Sequence, residues 1–196
     1  MINPGTKPIY VSRIGITEPA VEPFTVDELK LFARIDGASE DDLLTGFIKA
    51  TRLATEDYLG RALIQQTMKV VLDVWPGMIL ELPRPPLISV SSINTIDEDD
   101  AETEYDSENY YVVTESIPGQ IIIKQGSSAP VTYLRDVGGY EVLYIAGYGE
   151  AATDIPKAIV EGMKLWATAM YENRALTTDP PPQAKPLLNL YKVMRI

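Results

Sequence analysis

The sequence predicts an α+β protein in which an antiparallel β domain is inserted into a helical bundle. Apolar residues recur every three or four positions near both ends of the chain, as on one face of a helix. Between these regions the spacing falls to about two, and turn residues divide the segment into short strands. We therefore predict an N-terminal arm or edge segment over 1–23, a helical core over 24–61 and 150–196, and an inserted β domain over 62–149.

The first helix has a clear start signal. Thr25 is followed three residues later by Glu28, which is the spacing of a capping box. Phe24 and Leu29 flank this box at the positions of a hydrophobic staple. These residues predict a helix over 26–34.

A second, longer helix is predicted to follow. Ser39 and Asp42 form a weaker start signal, and Gly60 stands where a helix of about five turns ends. One mostly apolar stripe lies between them. Its members are Leu44, Phe47, Ile48, Thr51, Ala54 and Tyr58.

Beyond Gly60 the pattern is that of strands. Pro76-Gly77, Pro118-Gly119 and Gly138-Gly139 are among the turns that separate them. Short strands at this spacing indicate an antiparallel sheet, a sandwich or a small barrel. The predicted strands are 64–75, 78–82, 88–96, 110–114, 120–124, 131–134 and 140–145.

Helical spacing returns at about Ile155 and continues to about Asn173, with Pro156 in the first turn. This helix is apolar on more than one side, so more than one side must be buried. A neighbouring copy of the chain can supply the second burying surface. The candidates for packing the bundle or a neighbouring subunit are Met163, Trp166, Met170 and Tyr171.

Pro180-Pro181-Pro182 ends that helical region, and a short apolar segment with a basic tip follows. An apolar segment on a tether is costly to leave in water. It either folds back on its own bundle or docks onto a partner, and the sequence leaves both open. The docking candidates are Leu187, Leu188, Leu190, Tyr191, Val193, Met194 and Ile196.

Composition argues against most enzyme classes. The chain has no Cys and no His, which excludes Cys nucleophiles, Ser–His pairs and His or Cys metal ligands. The formal net charge of −11 argues against general binding to nucleic acid, since such binding depends on Lys and Arg. We expect no enzymatic activity, no cofactor and no membrane span, and we expect the protein to be intracellular when it is made.

Two carboxylate features were tested for chemistry. The acidic loop over 97–102 does not match a calcium-binding loop, because Ala101 and Glu102 stand where that pattern needs a ligand and a glycine. A solvated loop is the favoured interpretation, and cation binding stays open. Glu56 and Asp57 are neighbours on a helix and point about 100° apart, so they do not form an acid–base pair.

Six motifs recur along the chain in a characteristic order and spacing. They are PFTVDELK (23–30) leading to RID (34–36), YLGRALIQQT (58–67), LPRPPL (82–87) followed by Val90 and Ile93, YIAGYG (144–149), Ile155-Pro156 with Ala158-Ile159, and YENR (171–174). As a set they resemble the head–tail connector (adaptor) proteins of long-tailed double-stranded DNA bacteriophages, over roughly residues 22–192. The resemblance implies that the protein is in the host cytoplasm during assembly.

The resemblance implies a structural virion protein at the head–tail junction. Such connectors form a ring of about a dozen copies below the portal protein, extend the DNA channel and seat the tail or a tail-completion protein. The helical core is expected to form the ring, and the tail 187–196 to dock onto the portal. DNA is expected to pass through the channel without specific binding, because acidic walls deny phosphates a partner.

Two further hypotheses come from other classes of protein. The β block, with its tyrosines and acidic loop, would suit a tail-associated module that binds a carbohydrate or a receptor, with Ca²⁺ as a candidate ligand. A carboxylate-based hydrolase is the least favoured alternative. Calorimetric titration with Ca²⁺ separates the binding module from the connector, because an absence of heat would weaken the binding module.

Overall fold

The computed structural model describes residues 10–15, 17–130, 134–174 and 177–193, with the backbone alone for 10–15. The chain divides into two compact units, each of which is described by itself. One comprises residues 1–18 and 66–146, and the other comprises residues 19–65 and 147–196. Helices fill the second unit and antiparallel strands the first, which confirms the predicted α+β class.

The helical unit contains four α-helices: α1 (Val26–Ala33), α2 (Asp41–Leu59), α3 (Lys157–Asn173) and α4 (Lys185–Asn189). The predicted capping box is present at α1, where the Glu28 N–H donates to Thr25 Oγ1 at 3.2 Å. The Thr25 N–H donates in return to Glu28 Oε2 at 2.8 Å. Gly60 ends α2 with φ of +69°, a left-handed conformation that glycine adopts without strain.

The core of this unit lies where α1, α2, α3 and α4 meet. Its residues come from both halves of the sequence, so residues 19–65 and 147–193 fold as one body. The fully buried members are Leu29, Leu44, Leu59, Leu63, Ile159, Met163, Trp166, Ala167, Ala184 and Leu188.

The β unit contains eight described strands in two antiparallel sheets. A five-stranded sheet has the order β1-β2-β8-β4-β5, and a three-stranded sheet has the order β3-β7-β6. In β8, buried and half-buried residues alternate, as they do on a sheet with one covered face. The strands are β1 (Tyr10–Gly15), β2 (Gln66–Leu72), β3 (Ile79–Leu82), β4 (Leu87–Ile96), β5 (Glu102–Glu104), β6 (Tyr110–Val113), β7 (Gly119–Ile123) and β8 (Tyr140–Ala146).

Three elements differ from the sequence prediction. Residues 10–15, for which we had predicted an arm or edge segment and no strand, form the edge strand β1 and pair with β2. The end of the predicted acidic loop forms β5, which pairs with the last residues of β4. The predicted strand 131–134 is described only at Leu134, which makes an isolated bridge with Asp97; residues 131–133 lie outside the described residues.

Candidate interaction surfaces

The C-terminal segment (residues 185–193) packs on the helical unit of its own chain. Leu188 of α4 is fully buried in the core. It reaches α3 at Gly162, where a Cβ atom would lie 2.9 Å from Leu188 Cδ2. Because real Cβ contacts are almost never that short, this approach of α4 to α3 requires the glycine.

Hydrogen bonds extend the attachment toward the end of α2. The Tyr58 hydroxyl donates to Asn189 Oδ1 at 2.7 Å. Further along, the Val193 N–H donates to the Leu59 carbonyl at 2.9 Å. The Lys192 ammonium lies 3.9 Å from the centroid of the Tyr58 ring, so the same ring receives a cation. The segment is therefore held at several points along α2 and α3.

The predicted docking residues occupy different environments within this segment. Leu188 is buried in the core, whereas the side chain of Leu190 is 76% exposed. Met194 and Ile196 lie outside the described residues. The remaining three are half-buried: Leu187, Tyr191 and Val193. Docking onto a portal stays a prediction, and Leu190 is the described candidate most available to a partner.

The four residues predicted to pack the bundle or a neighbour all have partners within the chain. Met163, Trp166 and Met170 are buried in the core of the helical unit. The Trp166 indole N–H donates to Thr177 Oγ1 at 2.9 Å. Tyr171 is half-buried, and its hydroxyl donates to a carboxylate oxygen of Glu40. Packing against a neighbouring subunit through these residues stays a prediction.

The outward face of α2 is a surface that the sequence analysis missed. Leu43 and Leu53 on this face are 42% and 48% exposed. Gly46 and Ala50 lie between them, so the spacing of the four residues is three, four and three, which places them on one side of the helix. We call this set the α2 outer stripe. The spacing of these four residues is visible in the sequence, but we assigned only the longer apolar stripe of the same helix, which faces the core.

Gly46 has no role that the chain itself explains. Apart from the backbone of its own helix, no atom of the described residues would lie within 4 Å of a Cβ atom at this position. Glycine inside a helix is destabilising by about 1 kcal/mol relative to alanine. Neither close packing nor a left-handed backbone within the chain calls for this residue, because Gly46 lies inside a regular helix.

Glu56 is a buried carboxylate that belongs to an ion-pair network with Arg52 and Glu22. Arg52 donates from Nε to Glu22 Oε2 at 2.8 Å and from a terminal nitrogen to Glu22 Oε1 at 3.3 Å. Its other terminal nitrogen lies 3.5 Å from Glu56 Oε2. Glu56 Oε1 accepts the Leu63 N–H at 3.0 Å. Glu56 thus links Arg52 of α2 to the backbone at Leu63 and stabilises the fold.

The acidic loop lies at the turn between β4 and β5, which we call the acidic hairpin. Asp97 Oδ1 accepts the N–H groups of Asp99 and Ala101, both at 2.9 Å, and so stabilises the turn. Arg135 pairs with Asp100 at 2.9 Å. Within the described ranges, no group of three or more acidic side chains is placed to hold a metal ion.

Two tyrosines follow the acidic hairpin: Tyr105 comes directly after β5 and Tyr110 begins β6. Tyr105 and Tyr110 stack with their ring centroids 6.0 Å apart. Burial raises the pKa of Tyr110, and the carboxylates of Glu104 and Asp106 raise it further. The Tyr105 hydroxyl donates to the Ser128 carbonyl at 2.6 Å, which fixes the ring beside β5.

In the part of the chain that is described, no helix is long and apolar enough to cross a membrane.

Comparison with known proteins gives one family and several structures. Residues 22–192 match the family model described as head completion protein. No curated protein matches the sequence.

The solved structures show the same fold at low identity. A chain from the neck of an empty gene transfer agent particle, computed with C6 symmetry, has a TM-score of 0.81 and 21% identity over 95% of this chain and 97% of that one. A chain from the neck of the native particle, computed with C12 symmetry, has a TM-score of 0.79 and 21% sequence identity, over 95% of this chain and 97% of that one. A chain from the virion of the native gene transfer agent particle has a TM-score of 0.79 and 22% sequence identity, over 94% of this chain and 96% of that one.

Proposed function

The chain belongs to the head completion protein family, and from that premise we propose that it is a ring-forming connector at the head–tail junction of a phage-like particle. The observation that carries the proposal is the family match over residues 22–192. Chains of the same fold in particle necks with C6 and C12 symmetry support it. The proposed partners are the portal protein, a tail or tail-completion protein, and about a dozen copies of the chain itself.

The ring would close through head-to-tail contacts, in which one surface of a copy meets a different surface of the next. The α2 outer stripe is suited to one side of this contact. Its two leucines are exposed, and Gly46 and Ala50 between them leave room for close approach. We propose that an apolar surface of the next copy covers the stripe. Close contact with that copy would explain why a glycine stands at position 46, since no contact within the described chain does.

The C-terminal segment would form the contact with the portal. Leu188 anchors the segment in the core, and Leu190, two residues later, is mostly exposed and open to a partner. In this proposal Leu188 positions the segment and Leu190 binds. Deletion of residues 186–196 is therefore a poor test, because it removes part of the core as well as the docking surface.

A point substitution separates docking from folding. Leu190→Asp places a charge on a side chain that is already exposed, so the fold should be unaffected. We expect mostly tailless heads when this variant replaces the parent chain during assembly. The matched control is Leu31→Asp on α1, which changes a leucine that is 84% exposed. Electron microscopy should count normal tails for Leu31→Asp; equal loss in both variants, or normal tails in both, would contradict the docking proposal.

The acidity of the chain would serve passage of DNA. With a net charge of −11, a ring of these chains offers phosphates few cationic partners. We propose that part of this charge lines the channel and lowers friction. Substituting lumen carboxylates by lysine should then slow DNA ejection, whereas an unchanged rate would remove charge from the mechanism.

A further inference from the structure

The five-stranded sheet has an unpaired edge at each end. β1 lies at one end and β5 at the other, and neither has a second neighbour among the described strands. Open edges are ready sites for pairing with another chain, and proteins usually cover or shorten them. Because the two edges are different strands on opposite sides of one sheet, they suit a head-to-tail contact between copies.

The backbone of β5 has hydrogen-bonding groups that point away from the sheet. The Tyr105 N–H donates to the Ile93 carbonyl and the Asp97 N–H donates to the Ala101 carbonyl, which fixes the phase of the ladder. By the alternation of an antiparallel pair, Thr103 faces β4 with its N–H and carbonyl. The N–H and carbonyl groups of Glu102 and Glu104 therefore point outward, on the side where β5 has no second neighbour among the described strands.

The two edges also differ in charge. Residues 97–108 around β5 contain no Lys or Arg, and their acidic members are Asp97, Glu98, Asp99, Asp100, Glu102, Glu104, Asp106 and Glu108. β1 itself contains Arg13 and no Asp or Glu. Opposite charges on two surfaces favour their encounter and fix which surfaces meet.

We propose that β5 of one copy pairs with β1 of the next, so that the five-stranded sheets join into a continuous β-belt around the ring. This inference rests on the proposed ring. Successive strands in the order β1-β2-β8-β4-β5 are antiparallel, so β1 and β5 run in the same direction. A rotation of about 60° or less, as in a ring of six or more copies, keeps that direction approximately. The new pairing is therefore parallel.

Disulfide trapping tests the pairing directly, because the chain has no Cys of its own. We would combine Thr103→Cys on β5 with Ser12→Cys or with Arg13→Cys on β1. These two positions are adjacent in the part of β1 whose register with β2 is regular, where successive positions alternate between the two faces of a sheet, so the two pairs sample both faces. Within one chain, β1 and β5 are four strand spacings apart, about 19 Å, which is too far for a disulfide. Any bond must then join two copies.

The expected result is a ladder of covalent oligomers from at least one double variant after mild oxidation, and no ladder from the single variants. Rings are scored separately by electron microscopy, on the purified chain and on assembled particles. If rings form and neither double variant is trapped, the sheet pairing is wrong while the ring stands. If neither sample contains a ring of this chain, the proposed function fails and the pairing with it.

Substitution at Glu104 gives a second readout. Glu104→Pro removes an N–H that points outward and leaves the ladder with β4 intact. It should raise the protein concentration needed for half-maximal ring assembly about tenfold, since each interface loses a backbone hydrogen bond and the proline ring crowds the edge. The control Glu104→Thr removes the charge but keeps the N–H, and should have a smaller effect. Equal effects of the two substitutions would mean that charge, not strand pairing, joins the copies.

Discussion

Two helical glycines show how differently two faces of the helical unit are used. Gly162 in α3 lies against Leu188, and a Cβ atom there would be 2.9 Å from that side chain. Gly46 in α2 has no atom of the described part of the chain within 4 Å of the same ideal Cβ position, apart from the backbone of its own helix. Both residues weaken their helices by about 1 kcal/mol relative to alanine. Folding explains the first glycine and leaves the second without a reason inside the chain.

The difference separates internal contacts from surfaces that are open to a partner. The face of α3 at Gly162 is occupied by the chain's own C-terminal segment, which is pinned by a buried leucine. The α2 outer stripe carries exposed leucines on either side of a glycine and has no described cover. Experiments that change stability should therefore act at the first face, and experiments that change assembly at the second.

The largest effect is expected at the anchor of the C-terminal segment. Leu188→Ala should lower the free energy of unfolding by about 2–5 kcal/mol, because it removes a fully buried side chain and leaves a cavity. Leu190→Ala, two residues away, should change stability by less than about 0.5 kcal/mol, since that side chain is mostly exposed. Urea unfolding of both variants measures the contrast. Similar losses would mean that the segment is not held as described.

The next effect compares the two glycines through the same substitution. Gly162→Val should destabilise the chain by about 1–3 kcal/mol, because the added side chain overlaps Leu188 and pushes α4 away. Gly46→Val has open space and should be neutral or slightly stabilising in the isolated chain. Thermal unfolding monitored by circular dichroism gives both values. Equal destabilisation at the two sites would end the distinction between the two faces.

The smallest change in stability carries the opposite sign. Gly46→Ala should stabilise the isolated chain by about 1 kcal/mol through its higher helix propensity. The same substitution should weaken ring assembly, since a methyl group then occupies the space proposed for the next copy. Unfolding and mass photometry across a concentration series measure the two quantities on one sample. Stabilisation with unimpaired assembly would show that the α2 outer stripe lies outside the ring contact.

Local signals in the sequence were sufficient for the helices and for the fold class. The Thr25–Glu28 capping box and the glycine after α2 have their expected geometry, because caps depend on residues only three or four positions apart. β1 and β5 escaped prediction for the converse reason. β1 is ordered by pairing with β2, more than fifty residues later, and a short polar strand such as β5 has no apolar pattern to reveal it.

The candidate surfaces were predictable only in part. The apolar character of α3 on several sides indicated a second burying surface, but the sequence did not specify which surface. In the isolated chain, Leu188 covers α3 at Gly162. The α2 outer stripe depends on knowing which face of α2 is already occupied, and that follows from tertiary packing. Leu31 and Leu53 become informative only once their exposure is known.

The central claim is that copies of this chain form a ring between the head and the tail. Electron microscopy of particles assembled with a bulky tag fused to the chain tests it most directly. The account predicts ring-shaped extra density at the head–tail junction, repeated around the particle axis. Tag density at the distal end of the tail, or particles with complete necks and no tag, would contradict it.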